Sequence, residues 1–377
     1  MSDNIEAITM PKWGLAMQEG MLVDWHVNAG EQIAKGQEIA DIETEKIANS
    51  FEAPTSGTLR RILADAGESL PVGALLGVVA DESVSDADLD AYIAEFNEQF
   101  AEVLAARAAD SDTGPEPETV DTAAGTIRYL TLGEAEGTPV VFIHGFGGDL
   151  NNWLFNQAAV AETHTTFALD LPGHGGSTKA LEAADVPALA GAVLAFMDTA
   201  EIDRAHLVGH SLGGAIAAHI GTGNPHRTAS ATLVCSAGLG SEINIDYIEG
   251  FIAASRRKDL KPLVQQLFAD PALVTRDLLD DLLKFKRLDG VEAALKQISQ
   301  AVFAGGSQSL VLSEQLAASG VPVQVIVGSD DHIIPASHAD ALEGKAAVHR
   351  LGGAGHMVHM EKASDVNELL MKFFASA

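Results

Sequence analysis

The pentapeptide Gly209-His210-Ser211-Leu212-Gly213 admits few folds. A short apolar run, His206-Leu207-Val208, leads into it, and the small-residue segment Gly214-Ala215-Ile216-Ala217-Ala218 that follows reads as a helix. Strand, Gly-x-Ser-x-Gly turn and helix together make a nucleophile elbow. Such a turn holds its serine in strained backbone, so the residues two before and two after it must be small, and both are glycine. Ser211 is thus the candidate nucleophile.

At 377 residues the chain is long enough for two domains of unequal size. Acidic side chains number 53 against 23 basic ones, and the resulting charge of -30 repels nucleic acid and anionic membranes. The single cysteine, Cys235, excludes an internal disulfide, and no apolar stretch is long enough to span a bilayer. The acidic N-terminus lacks the basic start and apolar run of a signal peptide, so a cytoplasmic protein is expected.

The first eighty residues repeat at an offset of 37 positions: Gly20 with Gly57, Gly30 with Gly67, Gly36 with Gly73, and Ala29-Gly30-Glu31 with Ala66-Gly67-Glu68. Apolar positions keep the same offset, as in Leu22 with Leu59 and Ile39 with Leu76. Two such halves of short strands can bury their apolar faces against each other, which predicts a quasi-twofold all-β sandwich over residues 1–80. Between the halves, Glu43-Thr44-Glu45-Lys46-Ile47 separates two strand-like runs and puts Lys46 at a hairpin tip. Here the sequence resembles the lipoyl domains of 2-oxoacid dehydrogenase complexes, in which the lysine of a Glu-Thr-Asp-Lys-Ala type motif carries lipoic acid in amide linkage. The resemblance implies covalent lipoate on Lys46. Glu45 and Ile47 depart mildly from that motif, and the Met-Lys-Met of biotin carriers is absent.

Residues 81–124 hold thirteen acids and one basic residue, Arg107, with a Pro/Glu patch at Gly114-Pro115-Glu116-Pro117-Glu118, and read as an acidic linker. Within it Leu89, Tyr92, Ile93, Phe96, Phe100, Val103 and Leu104 recur at helical spacing behind a Ser85 cap, predicting an amphipathic helix over 86–107. Its apolar stripe is expected to pack against the second domain, with docking of a partner subunit as the alternative.

From 125 to 377 strands and helices alternate, which predicts a mostly parallel sheet covered on both faces. The candidate strand at 140–143 ends in His144-Gly145-Phe146-Gly147-Gly148, a turn from which the Phe146 N–H can join the Leu212 N–H in holding an oxyanion. His144, His174, His210 and Cys235 read as structural. Late in the chain, Val325-Ile326-Val327-Gly328-Ser329-Asp330-Asp331 ends a strand in two aspartates, and Gly352-Gly353-Ala354-Gly355-His356 follows the last apolar run. Both segments belong at the edge of the sheet where ligands bind. Together these motifs resemble the α/β-hydrolase superfamily over 125–377, whose Gly-x-x-Asp pattern selects Asp331 over Asp330. That resemblance makes Ser211, His356 and Asp331 a triad, with no metal called for. Helical stretches over about 240–309 read as a cap, in which nine basic residues meet ten acids. A solvated helix face is the default reading of these basic residues, and the alternative is that some of them, Arg256 and Arg257 among them, bind the phosphates of coenzyme A.

A lipoyl domain joined to a serine α/β-hydrolase domain resembles the acyltransferase component of bacterial acetoin dehydrogenase complexes. The resemblance implies acetyl transfer from a lipoyl arm on Lys46 to coenzyme A. It also implies three partners, a thiamine-diphosphate-dependent acetoin-cleaving component, dihydrolipoamide dehydrogenase and a lipoate-attaching enzyme, together with a homo-oligomer. The His-x-x-x-Asp-Gly motif of the trimeric acyltransferases is absent: Asp289-Gly290 has Phe285 in the histidine's place. Two other readings stay open, a lipoyl-linked serine hydrolase and a lipoyl carrier or scaffold with an inactive hydrolase-like domain.

Overall fold

The computed structural model describes residues 5–11, 19–43, 48–81, 83–109 and 115–377. Lys46 and its neighbours 44, 45 and 47 lie outside the described residues. The chain forms two compact units, Met1–Gly114 and Pro115–Ala377.

In the first unit eight strands follow one another: β1 (Ile5–Thr9), β2 (Glu19–Trp25), β3 (Gln32–Ile33), β4 (Glu38–Glu43), β5 (Ala48–Glu52), β6 (Gly57–Ile62), β7 (Glu68–Pro71) and β8 (Leu75–Ala80). They make two four-stranded sheets, ordered β1-β8-β6-β3 and β5-β4-β2-β7. The 37-residue offset carries β2 onto β6, β3 onto β7 and β4 onto β8, so one sheet order maps onto the other. Repeated apolar positions meet in one core that holds Leu22, Ile33, Ile39, Ile42, Leu59, Leu76 and Val79.

Helix α1 (Asp86–Ala109) starts where Ser85 Oγ accepts the Asp88 N–H at 3.2 Å. Its described stripe packs within the first unit, not as expected. Leu89, Tyr92, Ile93 and Phe96 pack on Ile5, Ala7, Leu75, Val78 and Ala80, the outer face of β1 and β8. Arg60 fixes the entry to the helix by donating to the Asp81 and Val84 carbonyls at 2.8 and 3.2 Å, while Arg61 pairs with Asp86 at 2.7 Å. The expectation fails for a physical reason: β8 is apolar at every position and buried along its whole length, so both of its faces need cover. The 81–124 segment is therefore not linker throughout. Its first part is a helix of the first unit, and β9 (Glu118–Thr122) pairs antiparallel with β10 (Gly125–Leu132) in the second.

The second unit continues with β11 (Val140–Ile143), α2 (Leu154–Ala161), β12 (Thr166–Leu169), α3 (Val186–Thr199), β13 (Ala205–His210), α4 (Leu212–Gly223) and β14 (Thr228–Val234). Four helices then form the cap: α5 (Ile245–Ala253), α6 (Arg257–Val264), α7 (Arg276–Lys286) and α8 (Val291–Val302). After α9 (Ser313–Ala318) the sheet closes with β15 (Val323–Gly328) and β16 (Ala347–Leu351), followed by α10 (Val358–Glu361) and α11 (Ala363–Phe374). The eight strands run β16-β15-β14-β13-β11-β12-β10-β9, parallel from β16 to β12 and antiparallel at β10 and β9. This unit is the α/β-hydrolase fold with a helical cap, and the first unit is the all-β lipoyl-type sandwich. Crossovers through helices put the carboxyl ends of β11, β13 and β15 along one edge, where the site lies.

Candidate active site

Ser211 joins β13 to α4 with φ 53° and ψ -116°, a conformation outside the regions open to ordinary residues. The flanking glycines make it possible. A Cβ on Gly209 would stand 2.1 Å from Gly213 O, and one on Gly213 would stand 2.1 Å from Ile143 O. Backbone bonds from Ser211 N to Val234 O at 2.9 Å and from Ala237 N to Ser211 O at 3.0 Å hold the turn. The serine is 7% exposed.

The loop after β11 comes against this turn, since a Cβ on Gly145 would meet Ser211 Cβ at 2.9 Å. Phe146 follows, half-buried, and its ring faces Phe251 of α5 and Phe303 at centroid distances of 6.4 and 6.0 Å. Leu212 opens α4, where the first N–H groups have no partner within the helix. Two buried histidines brace the loop. Gly147 N donates to His174 Nε2 at 3.1 Å, and Leu171 N donates to His144 Nε2 at 3.0 Å. Burial pushes both imidazoles below their ordinary range, which keeps those nitrogens available as acceptors. Beneath them the buried Asp170 accepts from Leu150 N, Gly176 N and Arg128 Nη1 at 2.8, 2.7 and 3.0 Å.

Of the two aspartates after β15, Asp330 is exposed and Asp331 turns inward, its side chain 1% exposed. Asp331 Oδ2 meets His356 Nδ1 at 2.7 Å, and Oδ1 accepts the Ile333 and Ile334 N–H groups at 2.8 and 3.0 Å. Burial alone would push this carboxyl up; His356 and the two backbone donors outweigh it and leave it below the usual carboxylate range. His210 Nε2 lies 2.9 Å from His356 O, so the histidine loop touches the elbow one residue from Ser211. Cys235, with φ 42°, sits behind the pair, where burial and then Asp331 push its thiol well up. His359 is fully buried, with its ring between Trp153 and His210 at 4.7 and 4.5 Å.

The cap contributes an apolar wall. Phe251 lies so close to Gly147 that a Cβ there would stand 2.5 Å from the ring, and Phe285 stacks on His174 at 6.3 Å. Lys286 Nζ lies 4.6 Å from the Phe251 centroid and donates to the carbonyls of Phe251 and Ile252 at the end of α5. Its partial burial pushes it down to about 8. The proposed phosphate ligands fare unequally. Arg257 spends its guanidinium on Asp280, through Nε at 3.0 Å and Nη2 at 2.5 and 2.7 Å, whereas Arg256 pairs with Asp259 at 2.6 Å on the surface. Sequence reasoning did not single out Glu361 beside His356; its only trace is a lone acid five residues after the histidine.

On either side of Lys46 the described strands β4 and β5 pair antiparallel, with Glu43 opposite Ala48.

A family model for the alpha/beta hydrolase fold matches residues 138–363, and one described as biotin-requiring enzyme matches residues 6–79. The chain is 48% identical to the dihydrolipoyllysine-residue acetyltransferase component of the acetoin cleaving system of Pseudomonas putida, over 98% of each chain. The Cupriavidus necator protein of the same description is also 48% identical, over 99% of this chain and 98% of its own. Among solved structures, 2-hydroxy-6-oxo-6-phenylhexa-2,4-dienoate hydrolase from Rhodococcus superposes with a TM-score of 0.64 at 22% identity, covering 70% of this chain and 99% of that one. A meta-cleavage product hydrolase from Pseudomonas fluorescens gives 0.63 at 21%, over 69% and 97%. These two likenesses concern the fold.

Proposed function

The chain belongs to the dihydrolipoyllysine-residue acetyltransferase components of acetoin cleaving systems, and from that premise we propose that Ser211, His356 and Asp331 carry its acetyl transfer to coenzyme A. The observation that carries the proposal is the buried 2.7 Å contact between His356 Nδ1 and Asp331, one residue's reach from a strained Ser211. It supports a triad in which Asp331 orients the imidazole and offsets the charge it gains.

Bound to Lys46, lipoate would supply a thiol that holds the acetyl group as a thioester. Ser211 Oγ attacks the thioester carbonyl carbon while His356 Nε2 takes the hydroxyl proton. The N–H groups of Phe146 and Leu212 hold the oxyanion. As the C–S bond breaks, the proton passes from His356 to the donor sulfur, leaving acetyl on Ser211. Coenzyme A then gives its thiol proton to His356, its sulfur attacks the ester carbonyl, and Ser211 leaves with its proton restored. Thioester exchange is nearly balanced whereas hydrolysis runs downhill, so the apolar wall of Phe251, Phe285 and Phe303 serves transfer by excluding water.

The partners that follow are a thiamine-diphosphate-dependent component that cleaves acetoin and loads the acetyl group, dihydrolipoamide dehydrogenase, and an enzyme that attaches lipoate to Lys46. Assembly as a homo-oligomer belongs to the same reading.

The test incubates lipoylated protein with acetyl-dihydrolipoamide and coenzyme A, quantifies acetyl-coenzyme A and acetate, and traps the enzyme for mass spectrometry. Wild-type protein should give acetyl-coenzyme A and an acetylated Ser211 peptide, and Ser211→Ala neither. Full transfer by Ser211→Ala would support a scaffold role for the domain, and acetate as the sole product would make it a hydrolase.

A further inference from the structure

The loop that carries His356 is fastened on its outer side by a carboxylate that the proposed reaction does not use. Glu361 ends α10 and bridges two elements. Its Oε2 accepts the N–H of Gly355, the residue before His356, at 2.7 Å. Its Oε1 accepts the N–H of Ala269, in the cap segment after α6, also at 2.7 Å. Backbone contacts reinforce the junction. Met357 N donates to Leu267 O at 3.0 Å, so residues on both sides of His356 are tied to cap residues 267–269. Gly355 has no room to spare: a Cβ there would stand 2.8 Å from Leu267 O and 2.9 Å from Ala269 N. On the inner side, His210 reaches the His356 carbonyl, and Asp330 N donates to Ala354 O at 3.0 Å.

We propose that Glu361 is a positioning residue, a clamp that couples the seating of cap segment 267–269 to the alignment of His356, and thereby the exclusion of water to the competence of the base. Only a carboxylate serves both donors. It is acceptor-only with two oxygens, whereas a glutamine amide turns an NH2 toward one of the two N–H groups and loses that bond. When the cap segment lifts, Glu361 loses Ala269 and Met357 loses Leu267, and the His356 loop keeps on its outer side only the bond from Gly355 N to a Glu361 that is no longer anchored to the cap. The base is then held in register only while the cap covers the acetyl-serine, which guards the acetyl group against hydrolysis. This inference rests on the Ser211–His356 reading given above.

The experiment compares Glu361→Gln with wild-type and Ser211→Ala in the full-length lipoylated protein, measuring acetyl transfer to coenzyme A and acetate release together. The clamp predicts that Glu361→Gln lowers kcat by about tenfold or more, as misplacement of a catalytic group does. KM for acetyl-dihydrolipoamide should stay within about twofold, and the share of acetyl lost to water should rise. Wild-type kcat and partition in Glu361→Gln, with Ser211→Ala inactive, would overturn the clamp alone. An active Ser211→Ala would instead remove the reading beneath it. Should Glu361→Gln fail to fold, hydrogen exchange on the wild-type protein decides: the clamp predicts that amides of 267–269 and 355–357 exchange at a common rate. A cap segment exchanging about tenfold faster than a protected His356 loop would overturn it.

Discussion

Asp330 and Asp331 are the same side chain one residue apart, and the backbone after them separates their fates. The N–H groups of Ile333 and Ile334 converge on Asp331 and His356 closes its other oxygen, while Asp330 stays in water. Asp331→Asn should therefore lower kcat by about 10⁴, the scale seen when a triad acid becomes an amide, and Asp330→Asn should leave it within about twofold. Steady-state acetyl transfer checks both. His359 leads to a statement about pH. Burial first, then His356, holds its imidazole down at about 3, so it is neutral in the folded chain while the unfolded chain protonates near its ordinary 6.5. The unfolded state binds the extra proton between those values, so stability is full above 6.5 and falls as pH drops toward 3. At pH 5 the loss from this one group is about 2 kcal/mol. His359→Phe keeps the stack with Trp153 and His210 and should shrink the difference in Tm between pH 7 and pH 5. An unchanged difference would mean that other buried histidines govern acid sensitivity.

At the scale of elements, the elbow and the repeat were legible because each is a local pattern with a single geometric solution. Gly209 and Gly213 announce a turn that no larger residue can enter, and the paired glycines at the offset of 37 announce two superposable halves. What escaped reading depends on which surface meets which. The stripe of α1 states that something covers it without naming the partner, and the unbroken run Leu75-Leu76-Gly77-Val78-Val79-Ala80 was the matching signal, since a strand with one wet face would alternate. Strand β9 was missed because Glu118-Thr119-Val120-Asp121-Thr122 is as polar as linker, a usual way to protect a sheet edge. The Glu361 bridge joins residues 92 positions apart through backbone N–H groups, which leave no mark on side-chain identity. The α1 contact can be tested directly. Leu89 is fully buried against the outer face of β1 and β8, so Leu89→Ala should cost about 2–4 kcal/mol, read from urea unfolding followed at Trp25. A loss below about 0.5 kcal/mol would place the helix off that face in solution.

At the scale of the whole molecule, charge and chemistry pull in opposite directions. The chain carries -30, yet its proposed acceptor is a polyanion, so coenzyme A approaches against a repulsive field. The cap is the exception, its nine basic residues nearly balancing ten acids between 241 and 310. Arg257 is already committed to Asp280, so its charge helps to neutralise the cap rather than to offer a phosphate fork. Such an arrangement lowers the barrier at the entrance without creating a strong anion site. Long-range repulsion should then dominate the ionic-strength dependence. Raising ionic strength from about 10 mM to about 150 mM shortens the screening length from about 30 Å to about 8 Å. Over that interval kcat/KM for coenzyme A should rise, while kcat/KM for acetyl-dihydrolipoamide, which is uncharged, should stay flat. A fall for coenzyme A would point the other way, to cap cations such as Arg256, Lys258 and Lys261 gripping its phosphates directly. The neutral donor separates that outcome from a general effect of salt on the enzyme.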